Sequence, residues 1–403
     1  MKILVLNCGS SSIKYQVLDM KGGNEHTLLA KGLVERIGME EGDITHSVPG
    51  NEKHKIHKKI EDHTVGIKDV LSLLTDSEHG VLGSLAEIKA VGHRIVHGGE
   101  YFTQSCIIDA RVIEGIEKCS TLAPLHNPAG LLGIKAVTEN LPSVPQVAVF
   151  DTSFHQTMPE CAYMYGLPYE YYEKDKIRKY GFHGTSHRFV SKAGAELAEL
   201  DYHDCKIITC HLGNGSSVTA VKNGRSVDTS LGMTTIDGLI MGTRCGALDP
   251  GVVTYVMKSH NLSVEQMDKI LSKQSGFVGV SGVSSDARDL EEAEAKGDKR
   301  AKLTLEMFRY GLLKQIGAYS AAMGGVDLIV FTGGIGENDP DTRAYIAEKL
   351  GYLGVDFDFE LNSGLRGKTT LLTKKGSKVK VAIVATNEEL VIASDTMKLV
   401  KMD

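Results

Sequence analysis

The chain opens on a short apolar run, Ile3 to Leu6, that stops at Asn7; after Gly9 and three serines a second run resumes from Ile13 to Val17. Two apolar stretches around a polar turn predict a β-hairpin. About half a chain later the pattern returns in KIITCHLGNGSSVTAV, Lys206 to Val221, with a turn one residue longer. The echo points to an internal duplication. A third apolar run, VDLIVF from Val326, ends in Gly333, Gly334 and Gly336 and leads into the helical pattern DTRAYIAEKLGYLG. Before it, residues 284–325 read as one short and one long amphipathic helix, with Ser284 or Ser285 as cap and Gly324-Gly325 as stop. Hairpins followed by strand–loop–helix units predict mixed α/β structure.

At 403 residues and 42% hydrophobic content the chain exceeds one ordinary core, which predicts two or three globular units. The polar, turn-forming run FDTSFHQTMP, residues 150–159, marks the boundary between them. With 45 basic and 51 acidic residues the net charge is −6, so no electrostatic case for a nucleic-acid partner arises. KHKIHKK at 53–59 reads as a solvated strand face. The seven cysteines form no CxxC pair, which suits reduced thiols and a cytoplasmic location, and no apolar run reaches membrane-spanning length.

Candidate chemistry collects at the glycine-rich junctions. TGGIGEN satisfies neither the P-loop nor the dinucleotide fingerprint, yet glycines let a backbone approach a ligand and a following helix points N–H groups at negative charge. Three such junctions, at 7–12, 213–217 and 333–338, point to a nucleotide held between two domains. Ser10, Ser11 and Ser12 supply donors for phosphate oxygens, and Lys14 adds a cation. In VGHRIVHGGE the spacing of His93 and His97 lacks the glutamate of HExxH, and Ile95 and Val96 favour a strand with Arg94 and Val96 on one face. That face suits a small carboxylate with an alkyl end. His183 and His187 in GFHGTSHR and Arg244 in MGTRCG fit packing or ion pairing as well as catalysis. Phosphoryl transfer needs such cations and donors around the moving group. Asp151 ends the apolar run VPQVAVF and could orient an acceptor or act as base; Asn387, Glu388 and Glu389 offer oxygens of the kind Mg²⁺ prefers.

NCGSSSIKY, GHRIVHGGE, APLHNPA, FDTSFHQTMP, YGFHGTSHR, HLGNGSS, MGTRCG, SSDARD, FTGGIGEN and TNEEL, in this order over nearly the whole chain, together resemble the acetate kinase family. The resemblance implies the sugar kinase, Hsc70 and actin superfamily fold: two duplicated ribonuclease H-like α/β domains, with the active site in the cleft between them. One domain would span 1–150, completed by 386–403, and the other 151–385. It further implies a homodimer and direct in-line transfer between ATP and acetate, giving acetyl phosphate and ADP, with Mg²⁺ or in its place Mn²⁺.

By the same resemblance Asn7 and Glu388 serve the metal, and Lys14, with Ser10 and Ser12, contacts ATP. His211, Leu212, Gly213, Asn214 and Gly215 form one nucleotide segment; Asp286, Ala287 and Arg288 a second; Gly334, Ile335, Gly336, Glu337 and Asn338 a third. Arg94 holds the acetate carboxylate, and Val96, Leu125 and Phe182 its methyl. Asp151 matches the family's proton donor or acceptor, although acetate, ionised near neutral pH, favours an orienting or metal-linked role for it, and His183 and Arg244 match the residues that stabilise the transition state. Two departures stand out. Thr235 replaces the proline that usually completes the methyl pocket, which leaves a propionate or short-chain acyl kinase as the alternative, and Cys245 and Ala247 alter the segment after Arg244, removing a carboxylate that could partner it. A nucleotide-switched binding protein of the same fold would lack the acceptor set Arg94, Asp151, His183 and Arg244.

Overall fold

The strands that read as unbroken apolar runs are the centres of two sheets, where both faces are covered and no polar alternation is tolerated. A computed structural model describes residues 1–23, 25–124 and 126–401. The chain divides into one unit of residues Met1–Ser153 plus the segment from Asn387 onward, and a second, contiguous unit, Phe154–Thr386.

The first unit carries β1 (Lys2–Gly9), β2 (Ser12–Gly22), β3 (Glu25–Glu35), β4 (Gly42–Ser47), β5 (His54–Lys58), β6 (Ile88–Ile95), β7 (Cys106–Ile107) and β8 (Gln146–Phe150), in the order β5-β4-β3-β2-β1-β6-β8-β7. β1, β2 and β3 form an antiparallel meander, whereas β6 and β8 lie parallel to β1 and to each other. β5 holds the basic run on a mostly exposed edge, the place where lysines discourage further pairing. One face of the sheet packs the helices His63–Leu74 and Asn127–Asn140 over a core that includes Leu4, Leu6, Ile67 and Val137. The C-terminal helix Glu388–Val400 lies on β6, β1, β2 and β8.

The second unit carries β9 (Lys206–Leu212), β10 (Ser216–Lys222), β11 (Arg225–Thr229), β12 (Leu328–Thr332), β13 (Thr370–Leu371) and β14 (Lys380–Ile383), in the order β11-β10-β9-β12-β14-β13. β10 is antiparallel to β9, while β12 and β14 run parallel to it. The core series β3-β2-β1-β6-β8 of the first sheet is therefore repeated strand for strand by β11-β10-β9-β12-β14. The two glycine turns occupy the same corner of this plan, two residues between Gly9 and Ser12 and three between Leu212 and Ser216.

Three local expectations need correction. The short helix Ala287–Ala295 is capped by Asp286, whose carboxylate accepts from the Arg288 N–H, rather than by Ser284 or Ser285. β6 stops at Ile95, so Val96 follows the strand instead of sharing its face with Arg94. Asp151 falls in the first unit, because its N–H continues the β6–β8 ladder by donating to the Ile95 carbonyl at 3.0 Å. The long helix Lys299–Met323 does end at Gly324, in a left-handed conformation that suits glycine.

Candidate active site

In an open α/β sheet ligands gather at the carboxyl ends of the parallel strands. Arg94 near the end of β6, Asp151 just past β8 and Asn7 near the end of β1 occupy that edge of the first unit. Arg94 donates from Nε and Nη2 to the two Asp151 carboxylate oxygens at 3.1 and 2.5 Å, and from Nη1 to Asn7 Oδ1 at 3.2 Å. Glu388 Oε2 lies 3.9 Å from Arg94 Nε. This carboxylate arrives through the first turn of the C-terminal helix, whose N-cap Asn387 accepts from the Leu390 N–H at 3.0 Å.

Asp151 is fully buried. Burial pushes its carboxyl above the ordinary range, Arg94 pulls it back, and the Glu388 charge raises it again. Burial alone would lower Arg94, but Asp151 and Glu388 reverse that and raise it. The arginine stays charged, with one edge of its fork, Nε and Nη2, fixed by Asp151. Lys14, on β2 opposite Asn7, lies 2.5 Å from Glu389 Oε1, and Ser10 and Ser12 flank the turn, whose Gly9 carbonyl accepts from His63 Nε2 at 2.7 Å. Val96 is buried; Leu125 lies outside the described residues.

In the second unit His183 adopts a left-handed backbone, φ 56°, at the entry to the helix Gly184–Leu197. Phe182 before it is buried, its carbonyl accepting from His155 Nε2 at 3.0 Å. The His183 ring stacks on His211 at 4.3 Å. A methyl group added at Gly215 would lie 3.4 Å from Arg244 Nη1 and 3.5 Å from His183 Nε2, so the two side chains converge on that glycine. Arg244 Nη1 donates to the Thr235 carbonyl at 3.1 Å, and burial lowers the guanidinium below its usual range. Among the described residues no carboxylate pairs with it. Ala247 is exposed, its N–H given to the Gly238 carbonyl. A half-buried cation without a carboxylate is costly unless an anion comes to it.

A cavity of about 560 Å³ opens beside this loop. It is lined by members of all three segments expected to hold a nucleotide: Gly213 and Asn214; Asp286, Ala287 and Arg288; Gly334, Ile335 and Asn338. Asp286 holds Arg288 through both oxygens, at 3.1 and 2.6 Å. Gly242 makes room for the asparagine, since a methyl there would fall 1.8 Å from Asn214 Oδ1.

Five members of those segments stand back from the cavity. Leu212 is in the core, and the Gly336 carbonyl accepts from Arg343 Nη1 at 2.9 Å. Glu337 turns inward, its Oε1 accepting from the N–H groups of Gly333 at 2.9 Å and Thr386 at 3.2 Å, which ties two loops together. His211 and Gly215 border His183 instead. Conversely, the cavity wall includes Phe277, Glu291 and Arg366, which sequence reasoning missed. Glu291 is four residues beyond Ala287 on one helix, a spacing that places both on one face. Burial, with the charges of Asp339 and Asp341, pushes its carboxyl up to about 7.

Two sheets with one repeated plan, polar groups at their carboxyl edges and a cavity built on glycine junctions define a two-domain phosphotransferase of the actin and Hsc70-like superfamily. The acetokinase family model matches residues 2–394, and the chain belongs to that family. It is 56% identical to an acetate kinase of Thermoanaerobacter pseudethanolicus over 402 residues, covering 100% of this chain and 99% of the relative. The structure is similar to the crystal structure of Porphyromonas gingivalis acetate kinase, with TM-score 0.96 and 49% identity, and to a propionate kinase from Francisella tularensis, with TM-score 0.89 and 42% identity; each covers 99% of both chains.

Proposed function

We propose that the chain catalyses reversible, Mg²⁺-dependent phosphoryl transfer between ATP and acetate, giving acetyl phosphate and ADP. The observation that carries this reading is Arg244, half-buried, without a carboxylate among the described residues and converging with His183 Nε2 on Gly215. Such a pair fits the equatorial oxygens of a transferring phosphoryl group, where charge develops and little covalent work is asked of the protein. The cavity beside it fits the nucleotide, with the Gly213-Asn214 and Gly334 junctions near the phosphates.

Arg94 fits the substrate carboxylate. Asp151 already occupies the Nε and Nη2 edge of its fork, so its role is to orient that arginine; acetate is ionised near neutral pH and needs no base. Val96 and Phe182 supply apolar surface for the methyl group. Asn7 Oδ1 and the Glu388 carboxylate suit Mg²⁺, a hard cation that takes few protein oxygens and keeps its waters. When bound, it would neutralise phosphate charge. Transfer requires the acceptor set of the first unit and the donor set of the second to be brought onto one phosphoryl group during turnover.

A homodimer is the assembly we favour. The helix Pro250–His260 has no buried residue in the isolated chain and exposes Val252 and Tyr255, while Lys299–Met323 exposes Leu303, Met307 and Tyr310. A cytoplasmic location is supported by seven cysteines that are all unpaired. Among the described residues no helix is long and apolar enough to cross a membrane. Thr235 and the similarity to a propionate kinase favour propionate as a second acceptor.

Acetyl hydroxamate formation from ATP, acetate and hydroxylamine tests the reading. Acetate-dependent product is expected, and Arg244→Ala should lower kcat by about 10²–10³-fold. Absence of acetate-dependent product at every Mg²⁺ concentration would overturn it.

A further inference from the structure

Behind His183 runs a line of polar side chains with no access to water. His183 Nδ1 lies 2.8 Å from Ser217 Oγ, which lies 2.7 Å from His187 Nε2; His187 Nδ1 in turn lies 2.7 Å from Thr209 Oγ1. Thr209 on β9, Ser217 on β10 and His187 on the helix Gly184–Leu197 are each 0% exposed. Every hydrogen in the line must therefore be satisfied within it.

The line has two possible directions, and its buried end selects one. Burial, with His155 and His211 nearby, lowers His187 well below the ordinary histidine range, so its ring carries a single proton. If that proton were on Nδ1, it would point at Thr209 Oγ1 and leave the threonine hydroxyl hydrogen with no acceptor among the described residues. A buried donor left unmet forfeits its hydration with nothing gained in return. With the proton on Nε2 every group is matched: Thr209 O–H donates to His187 Nδ1, His187 Nε2–H to Ser217 Oγ, and Ser217 O–H to His183 Nδ1. A neutral His183 that accepts at Nδ1 carries its own proton on Nε2, the nitrogen beside Arg244 Nη1 at Gly215.

We propose that Thr209, His187 and Ser217 form a one-way hydrogen-bond relay that fixes His183 as the Nε2–H tautomer, making them positioning residues for phosphoryl transfer. The inference rests on the phosphoryl-transfer reading for its catalytic meaning, but the tautomer can be measured without it. The relay lets His183 donate to a phosphoryl oxygen while uncharged, so activity need not fall when imidazolium is lost above the ordinary histidine pKa of about 6.5. Titratable and charged groups beside the line include His211, stacked on His183 at 4.3 Å, His155, 5.8 Å from the His187 ring, and Arg244.

The test uses the full-length protein with ¹⁵N-labelled histidine. At pH 8 the His183 nitrogens should show a protonated Nε2 and a bare Nδ1, and His187 the same arrangement. A protonated Nδ1 on either ring would overturn the proposal. Thr209→Val, which keeps the shape and removes the hydroxyl, should lower kcat about tenfold at pH 8 and far less at pH 6, with KM for ATP and acetate unchanged. Ser217→Ala should behave alike and Ser217→Thr should restore part of the loss. An unchanged pH profile in Thr209→Val would also overturn it. If either variant fails to fold, the tautomers of the native protein still decide. A native protein with the stated tautomers but no acetyl phosphate formation would overturn the catalytic role alone.

Discussion

At the scale of single residues, absent side chains matter as much as present ones. A methyl group added at Gly334 would meet nothing within 4 Å, although the residue lines the cavity, so it would project into the space assigned to the nucleotide. Gly334→Ala should leave the urea midpoint within the scatter of ordinary surface changes and raise KM for ATP about tenfold. An unchanged KM would move the nucleotide away from this wall. Thr235 offers a different test, because Arg244 donates to its backbone carbonyl and not to its side chain. Thr235→Pro keeps that carbonyl while reshaping the acyl pocket, and should raise the ratio of kcat/KM for acetate over propionate; equal ratios in the two proteins would exclude Thr235 from acyl selection.

The legibility of the sequence also divides by residue. Arg94, Asp151, His183 and Arg244 stand out as candidates by their places at strand ends and in glycine loops, although His183 and Arg244 fit packing or ion pairing as well. Glu337 misleads for the same reason, since its segment looks like a phosphate loop while its carboxylate serves two backbone N–H groups of its own unit. Thr209 gives no signal at all, and Ser217 none beyond its place at the end of the 213–217 junction. In a β-branched, hydroxyl-rich hairpin they read as ordinary strand residues, and only the pairing of β9 with β10 and the packing of the helix Gly184–Leu197 bring them to His187.

At the scale of elements, the C-terminal helix is held close by a missing Cβ. A methyl at Gly92 on β6 would lie 2.5 Å from Thr396 Oγ1 and 2.6 Å from Ile392 Cγ2. Gly92 is two residues before Arg94, and the helix it admits carries Glu388 in its first turn. Gly92→Ala should therefore cost about 1–3 kcal/mol from overpacking and weaken the dependence of activity on Mg²⁺ as Glu388 is displaced. Titration of activity against Mg²⁺, beside urea unfolding, checks both; loss of stability with an unchanged Mg²⁺ curve would detach Glu388 from the metal. The hairpins, the glycine junctions and the long helix were all legible in the sequence as patterns of period 2 or 3.6. The order of strands was not, because pairing partners distant in sequence leave no periodic trace.

At the scale of the whole molecule, buried histidines tie stability to pH in both units. His93 and His97 in the first unit, and His155 in the second, are pushed down to about 4 by burial, and burial also lowers His187 well below the ordinary histidine range. Unfolded, each returns to about 6.5. Between these values the unfolded chain binds more protons than the folded one, so stability rises with pH across that window and is fully present above it. Acidification through the middle of that window should lower stability by at most about 1.4 kcal/mol per pH unit for each histidine, and less near its ends at about pH 6.5 and 4. Urea midpoints that stay level from pH 7 to 5 would contradict this.

The first unit is interrupted in sequence: the helix Glu388–Val400 that covers β6 and supplies Glu388 follows all of the second unit. On the ribosome this reverses the usual order. Nascent domains commonly mature from the amino terminus, but here the second unit is the first whose chain is complete. The β6 face meanwhile waits uncovered while the whole second unit is made. Completion of the first unit then waits for this helix, so a chain cut short before Glu388 would have the second unit whole and the first unfinished.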